Sequence, residues 1–319
     1  MMPAIRLVET WFWAVCILAV LTGLFIPWAA PFGNTWAIRF FLGGILFFTG
    51  LKTDFRAAWR ELSRPWLVIY VTAMVMVALP LALWGAARAV LPQFALGILI
   101  VAAMPAGMAG SSLTDIAGGN AALALVNTLA TSLACPLITP WVIRFATGGA
   151  GEAGSGYLLG QSLFLAAILF IPTAAAFFVR RTFPGWVERR RGALTGLSIL
   201  SLSFLIIGAM ASVSADFRAL AREKPAAAAG LFGFMFLFSA FFHLAGYWLA
   251  PWRPLADRAA ISVSTAYVNN GMAVVFATTF FKETFGAAAV VPGIFLEIPM
   301  VLAILPLRAW VARKTVMKP

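Results

Sequence analysis

Apolar runs long enough to cross a lipid bilayer follow one another along almost the whole chain. One of them, WLVIYVTAMVMVALPLALWGAARAVL at residues 66–91, carries Arg88 as its single charged residue. A helix of about 20 apolar residues spans the hydrocarbon and satisfies its own backbone there. The chain is 62% hydrophobic and 11% charged, against about 25% charged in soluble domains. The sequence therefore predicts an all-α polytopic membrane protein, because barrel strands would be about ten residues of alternating pattern.

The runs divide into ten predicted transmembrane helices joined by short connections. They cover residues 10–30, 34–51, 66–89, 93–117, 119–146, 156–180, 192–213, 226–250, 258–281 and 286–308. An even number of spans places both termini on one side, and most of the 23 Lys and Arg residues then fall on that side. Cytoplasmic connections carry the excess of basic residues. We therefore expect an integral membrane protein of a bacterial inner membrane with both termini in the cytoplasm. The basic residues that give the net charge of +12 flank the spans, so the charge does not indicate binding to nucleic acid.

Two polar stretches interrupt this apolar pattern. They are AMPAGMAGSSLTDIAGGN at 103–120 and STAYVNNGMAVV at 264–275, with the breaks themselves placed at 105–115 and 264–271. Cutting the chain near 150, in ATGGAGEAGSG, gives five spans in 1–150 and five in 151–319, and each break lies in the fourth span of its half. Five is odd, so the halves enter the membrane in opposite senses. Interrupted helices at corresponding positions of inverted halves are a pointer to a transporter binding site. The alternative is that the glycines only let helices pack closely.

The quoted motifs resemble the bile acid/sodium symporter family, in a divergent, bacterial-type form. ILFFTGLKTDFRAAWRELSRPWLVI resembles the end of its second helix and the following loop. MPAGMAGSSLTDIAGGNAALALVNTLATSLACPLITP resembles its fourth and fifth helices, and ISVSTAYVNNGMAVVFA its ninth. The resemblance implies two inverted five-helix repeats with broken, crossing fourth and ninth helices. It also implies a panel of helices 1, 2, 6 and 7 and a core of helices 3–5 and 8–10. In such proteins two sodium ions bind beside the crossing, and an organic anion binds between panel and core.

The family's sodium ligands carry over only in part. By resemblance, the first sodium site falls on Gly110, Ser111, Ala124, Thr128 and Ser264. Only Ser111 and Thr128 fit directly, since the family has a glutamate at the position of Ser264. The second site needs that glutamate and two glutamines, and the glutamines are replaced by valines at positions 75 and 268. The second site is therefore predicted to be lost.

Two acids at membrane depth are candidates to replace the missing glutamate. Asp115 follows the first break, although it could instead lie at the cytoplasmic end of the fourth helix beside the AGGN turn. Glu297, in GIFLEIPMV, is the hypothesised new acid, unless it pairs with an arginine at the interface. A carboxyl group surrounded by hydrocarbon disfavours its charged form, so a proton is an alternative to sodium. The full set of predicted substrate- or ion-binding residues is Ser111, Ser112, Thr114, Asp115, Asn127, Thr128, Ser264, Thr265, Asn269, Asn270 and Glu297, with Ser111, Thr128 and Glu297 as sodium ligands.

Together these features predict a secondary active transporter of a small or amphipathic organic anion, working by alternating access. Sodium or a proton is the coupling ion, and no other cofactor is expected. An uncoupled facilitator or channel-like permease is the alternative, favoured by the missing glutamate. The sequence contains no HExxH motif, no GxSxG motif and no paired catalytic acids, so it does not indicate an enzyme. An arsenite-type exporter is ranked low because Cys135 ends the fifth span rather than lying in the fourth. Cys16, Cys135 and His243 are interpreted as packed residues.

Overall fold

The computed structural model describes residues 12–53, 65–107, 110–149 and 154–303, which are helical almost throughout. The linker predicted at 150 and the basic residues of both termini lie outside the described ranges. The helices are α1 Phe12–Phe25, α2 Thr35–Lys52, α3 Pro65–Val90, α4 Ala95–Ala102, α5 Gly110–Ile116, α6 Ala121–Thr147, α7 Gly154–Thr182, α8 Pro184–Arg189, α9 Arg191–Ser212, α10 Ser214–Glu223, α11 Pro225–Trp248, α12 Leu255–Ala266, α13 Asn270–Phe280, α14 Lys282–Phe285 and α15 Val291–Leu302. Short 3-10 turns occupy Pro27–Gly33, Pro92–Phe94 and Gly286–Ala289.

Six spans among the described residues are long and apolar enough to cross a membrane. They are Pro65–Val90, Ala121–Thr147, Gly156–Thr182, Arg191–Ser212, Pro225–Trp248 and Lys282–Met300. A seventh is possible if α1 and the turn after it, bent by 96°, form one span. This count is lower than the ten predicted spans, partly because the fourth and ninth are each broken into pieces too short to cross alone. The chain is thus an integral membrane protein by its apolar helices, and ten spans stay a prediction.

Both predicted polar breaks contain unwound backbone, but it is shorter than predicted. Helix α4 ends at Ala102 and α5 begins at Gly110, while α12 ends at Ala266 and α13 begins at Asn270. The serines and threonines assigned to the breaks therefore lie mostly on helices. The hydroxyls of Thr114, Ser264 and Thr265 donate to carbonyls one turn earlier on the same helix, as in Thr114 to Gly110 (2.7 Å). A hydroxyl that bonds its own helix in this way is compatible with helical backbone, so polarity alone overestimated the unwound length.

Helix α3 shows how a proline is accommodated inside a long span. Residues Met74–Ala78 form a π-helical turn directly before Leu79 and Pro80. Proline has no backbone N–H, and its ring clashes with the carbonyl four residues earlier, here Met76. The wider π turn places this disruption between two regular helical pieces, and the span continues to Val90.

The long helices pack as two groups. Helix α9 packs against α1 and α2, and α7 packs against α2. In the other group α11 packs against α12 and α15, α6 packs against α3, α5 and α12, and α13 packs against α4 and α15. The groups meet where α7 packs on α6 and where α2 and α9 contact α13. The two broken helices thus lie within one group and face α2 and α9 of the other.

Candidate functional site

The two unwound segments cross and pair with each other. Ala106 and Val268 form an isolated antiparallel bridge. The Gly107 N–H donates to the Tyr267 carbonyl at 2.6 Å, and the Asn269 N–H donates to the Pro105 carbonyl at 2.7 Å. Unwound backbone at membrane depth must find partners, because hydrocarbon offers none. Each break therefore satisfies the other, and the crossing becomes a fixed element of the fold.

Two side-chain features support the crossing. Thr131 of α6 accepts a hydrogen bond from the buried Ala106 N–H at 3.1 Å. At Gly107 a Cβ atom would lie 3.1 Å from the Tyr267 carbonyl oxygen, closer than side chains normally approach. Glycine therefore allows the two backbones to come within hydrogen-bonding distance.

A cavity of about 220 Å³ opens beside this crossing. Its far wall is made by α2 and α9 and is mainly apolar, with Leu42, Leu46 and Leu205 among the lining residues. The near wall is the crossing itself, where Asn269 and Asn270 line the space. Ligand sites typically combine apolar walls with a few placed polar groups. The cavity has this composition and lies between the two helix groups.

Glu297 of α15 meets Asn270 at this cavity. The Asn270 amide donates to Glu297 Oε2 at 2.7 Å and to the Gly293 carbonyl at 2.5 Å. Glu297 is 7% exposed and Asn270 is 5% exposed. The Asn270 Oδ1 atom has no hydrogen-bond partner in the described part of the chain, and a Cβ on Gly293 would lie 3.2 Å from it. The pair thus offers a carboxylate and a neutral amide oxygen in one buried place, which is a donor set suited to a hard cation.

The crossing also places a helix start at the cavity. Asn269 caps α13, its side chain accepting from the Met272 N–H at 3.2 Å. Helix N-termini carry partial positive charge and exposed N–H groups, which favour anions. The N-terminus of α13 therefore suits an anionic ligand.

Four predicted hydroxyl residues are buried and bonded to their own helices. Thr114, Thr128, Ser264 and Thr265 are each at most 2% exposed and donate to carbonyls four residues earlier. Because the hydroxyl proton is used, each oxygen still has lone pairs free to accept or to coordinate. Thr128 lies across from α5, since a Cβ on Gly110 would lie 3.7 Å from its Oγ1. The region where the first sodium site is expected thus contains oxygen donors.

The remaining predicted residues lie in different surroundings. Ser111 is half-buried on α5, whereas Ser112 is exposed and lines the cavity. Asp115 is exposed near the end of α5, one turn before Gly118, whose N–H donates to the Asp115 carbonyl. This is the position at the end of the helix that the sequence left as an alternative. Asn127 is 1% exposed, and neither of its amide atoms has a hydrogen-bond partner among the described residues. The structure therefore joins Asn270 directly to Glu297, but it does not bond Asn127 to either.

Three residues of the site were not predicted from the sequence. Lys52 lines the cavity and donates to Thr195 at 3.2 Å, although in the sequence it was only one of the 23 Lys and Arg residues used to predict the orientation in the membrane. Thr131 holds the crossing in place, and Gly293 holds Asn270 in place. Thr131 continues the polar stripe of Asn127 and Thr128 by one helical turn, a signal that was available. Gly293 gives no such signal, because its role depends on the position of Asn270.

Comparison with known proteins shows similarity to membrane transporters. The sequence profile described as the SBF-like CPA transporter family matches residues 10–304. An "uncharacterized sodium-dependent transporter YocS" of Bacillus subtilis is 28% identical over 77% of this chain and 74% of its own length. A "probable sodium/metabolite cotransporter BASS4, chloroplastic" of Arabidopsis thaliana is 35% identical over 34% of this chain and 26% of its own. The chain spans about half the length of two further relatives, from Pseudomonas aeruginosa and rice.

The profile match covers more than nine tenths of the residues, and it includes both broken helices, the cavity and the Glu297–Asn270 pair. The resemblance to bile acid/sodium symporters seen in the motifs is confirmed by this match and by the names of the relatives. The chain belongs to the SBF-like CPA transporter family, and it is a membrane transporter rather than an enzyme.

Proposed function

We propose that this protein is a secondary active transporter that moves a small or amphipathic organic anion by alternating access. The observation that carries the proposal is the crossing of two broken helices at the wall of a cavity between two helix groups. Movement of one group against the other around such a site would expose it to each side of the membrane in turn. We place the protein in a bacterial inner membrane with both termini in the cytoplasm, as the distribution of Lys and Arg indicates.

We further propose that the chain comprises ten spans in two inverted five-helix repeats, residues 1–150 and 151–319. The antiparallel pairing of Ala106 with Val268 supports this arrangement, because inverted repeats bring corresponding segments together in opposite directions. The group of α1, α2, α7 and α9 corresponds to a panel of helices 1, 2, 6 and 7. The group of α3–α6, α11–α13 and α15 corresponds to a core of helices 3–5 and 8–10.

The cavity lining supports an amphipathic anion as substrate. Apolar side chains of α2 and α9 would cover a hydrocarbon body, while Lys52 and the N-terminus of α13 would attract a negative group. Asn269 and Asn270 add hydrogen-bonding side chains to the lining. Since both the apolar and the positive features belong to one cavity, a substrate carrying both kinds of group fits it best.

Glu297 is the proposed residue for coupling. Its carboxylate, with the Asn270 amide oxygen and the hydroxyls of Ser111 and Thr128, would hold sodium, or Glu297 alone would carry a proton. The word sodium in the names of three relatives favours sodium. Asn127 would complete the set if α6 shifts during the cycle, because its amide has no partner in this conformation.

An uncoupled facilitator is the second candidate, and one observation favours it. Ser264 stands where the resembled family has its shared glutamate, and its hydroxyl donates to the Ala260 carbonyl of its own helix at 2.8 Å. A transporter without an ion site would conduct substrate down its gradient alone.

Transport assays in proteoliposomes test these candidates. A panel of small and amphipathic carboxylates would be screened for uptake under a sodium gradient, a proton gradient and no ion gradient. The blocking variant is Ser198→Trp, whose larger side chain fills the cavity from α9. Among the described residues, the Ser198 hydroxyl bonds only its own helix. Accumulation that needs an ion gradient and is lost in Ser198→Trp supports the transporter. Uptake that only equilibrates favours the facilitator.

A further inference from the structure

The N-terminal part of α2 carries a second polar group. Lys52 lines the cavity at the C-terminal end of α2, whereas Arg39 lies in the second turn of the same helix. At 1.5 Å per residue the two are roughly 20 Å apart along the helix axis. The cavity lining on α2 extends from Leu42 to Lys52, so Arg39 lies one turn beyond its N-terminal end.

Within the described ranges, Arg39 is held without a carboxylate partner. Its Nη2 donates to Thr279 Oγ1 of α13 at 2.9 Å, and its guanidinium lies 4.9 Å from the Phe164 ring. The Nε atom is buried and has no hydrogen-bond partner among the residues that the structure describes. Arginine in such a position is normally paired with an anion, since its fork of N–H donors matches a carboxylate. One donor of Arg39 is thus available in a place that water does not reach.

Gln161 supplies a second unpartnered group on the same face. It is 0% exposed, and neither amide atom has a hydrogen-bond partner among the described residues. On α7 it lies between Tyr157 and Phe164, one turn from each, so the three side chains share one helix face. Both neighbours contact Phe280, with ring centroids 5.8 Å and 5.2 Å away. The Phe164 ring also lies 4.9 Å from the Arg39 guanidinium, so Gln161 lies one turn from the side chain against which Arg39 is held.

The electrostatic surroundings of this end are positive. Arg218 donates to the Leu24 carbonyl at 2.7 Å, and Lys282 donates to the Ser212 carbonyl at 3.0 Å. Neither of them, nor Arg39, has a carboxylate partner within the part of the chain that the structure describes. The acids on the same segments are Asp216, which is half-buried on α10, and Glu223 and Glu283, which are exposed. Cations that outnumber the nearby acids raise the local concentration of anions.

We propose that Arg39 and Gln161 form an anion-binding site for a small carboxylate beside the end of the cavity opposite Lys52, where Thr279 holds the guanidinium by accepting from Nη2. The Arg39 Nε–H and the Gln161 NH₂ group donate to the carboxylate oxygens. The Nη2 bond to Thr279 is kept, so a bound carboxylate adds to the contacts that hold α2 and α7 at α13. The site serves as the entry point for the transported anion from that side. This second role rests on the proposed transport function, whereas the binding itself does not.

The binding is tested on purified protein with acetate as the probe. The unfolding temperature is followed as choline acetate replaces choline isethionate at constant ionic strength, in the absence of sodium. The variants are Arg39→Gln and Gln161→Glu, the latter placing a negative charge where the carboxylate would bind. The matched control is Arg88→Gln, because Arg88 also stacks at 4.9 Å, on Trp84, but is exposed.

A saturable rise in unfolding temperature is expected for the wild type and Arg88→Gln, with loss of the rise in Arg39→Gln and Gln161→Glu. No saturable rise in the wild type overturns the site, even if a variant fails to fold. An undiminished rise in either variant also overturns it. Uptake in proteoliposomes is measured separately, so failure of acetate binding leaves the proposed transport function standing.

Discussion

The Asn269 backbone N–H donates to the Pro105 carbonyl at 2.7 Å, joining the two broken helices across the middle of the fold. With the bond from Gly107 to Tyr267, it gives the two unwound segments partners that hydrocarbon would deny them. The pairing also fixes where α13 begins and therefore where Asn270 presents its amide to Glu297. The geometry of the candidate ion site thus depends on the crossing.

Substitution of Gly107 by alanine is expected to separate the crossing segments. The added Cβ would lie 3.1 Å from the Tyr267 carbonyl oxygen, so one backbone must move. Overpacking of this kind costs about 1–3 kcal/mol. Thermal unfolding and uptake measure the effect, with Gly43→Ala as the control because a Cβ there meets nothing within 4 Å. Equal unfolding temperatures for the two variants would show that the crossing tolerates the change.

Thr131→Val is expected to destabilise the protein by removing the acceptor of the buried Ala106 N–H. The shape of the side chain is kept, so the loss reports the unmet backbone group, about 1–3 kcal/mol. The control is Thr173→Val, whose hydroxyl donates to the Leu169 carbonyl of its own helix. Chemical unfolding of both variants gives the comparison. A smaller loss for Thr131→Val than for Thr173→Val would contradict the supporting role.

Asn270 and Glu297 are expected to behave as one unit. A double-mutant cycle with Asn270→Leu and Glu297→Leu should give an interaction free energy of about 0.5–3 kcal/mol, because each single change leaves the other polar group buried without its partner. Unfolding free energies of the four proteins provide the measurement. If the changes in unfolding free energy simply add, the 2.7 Å contact between Asn270 and Glu297 does not contribute to stability.

The pairing of Asp257 with Arg253 is expected to matter more than the exposed ion pairs. The Asp257 side chain is 8% exposed, Arg253 is 19% exposed, and Asn120 also donates to Asp257 at 2.9 Å. Removing one partner of a buried pair costs about 3–5 kcal/mol, and the remaining exposure of Arg253 places Asp257→Ala toward the lower value.

Glu188→Ala is the comparison for that prediction. Glu188 pairs with Arg180 and Arg191 but is 54% exposed, and exposed pairs are worth about 0–1 kcal/mol. Unfolding temperatures of the two alanine variants should therefore differ clearly. Similar unfolding temperatures would show that the ion pair of Asp257 does not help to position the start of α12.

The sequence predicted where the chain leaves helical geometry but not how far. Pro105 and Gly107, and Asn269 with Gly271, are poor helix formers at membrane depth, so the position of each break could be predicted. Thr114 and Ser264 were assigned to the breaks because they are polar, yet both bond their own helices. Whether a hydroxyl bonds its own helix or a ligand depends on the tertiary surroundings of the side chain. A single sequence does not show those surroundings.

The acid at the site was predicted, whereas its partners were predicted only in part. Glu297 is conspicuous because a carboxylate at membrane depth is costly without a role. Its direct contact with Asn270 depends on how α13 and α15 pack, and on Gly293 leaving room for the amide. Asp115 was grouped with Glu297 by depth, but it lies exposed near the end of α5. Depth estimated from sequence is uncertain by about a turn near a break, and one turn separates a buried side chain from an exposed one.

The most direct test of the account is whether Glu297 makes the protein respond to sodium or to protons. The unfolding temperature of purified protein would be measured in sodium and in potassium chloride at several pH values. The variants are Glu297→Gln and, as a matched control, Glu188→Gln at an exposed acid. The account predicts a sodium-specific or pH-dependent stabilisation that Glu188→Gln keeps and Glu297→Gln loses. A wild type that responds to neither ion, or a response that survives in Glu297→Gln, would contradict it.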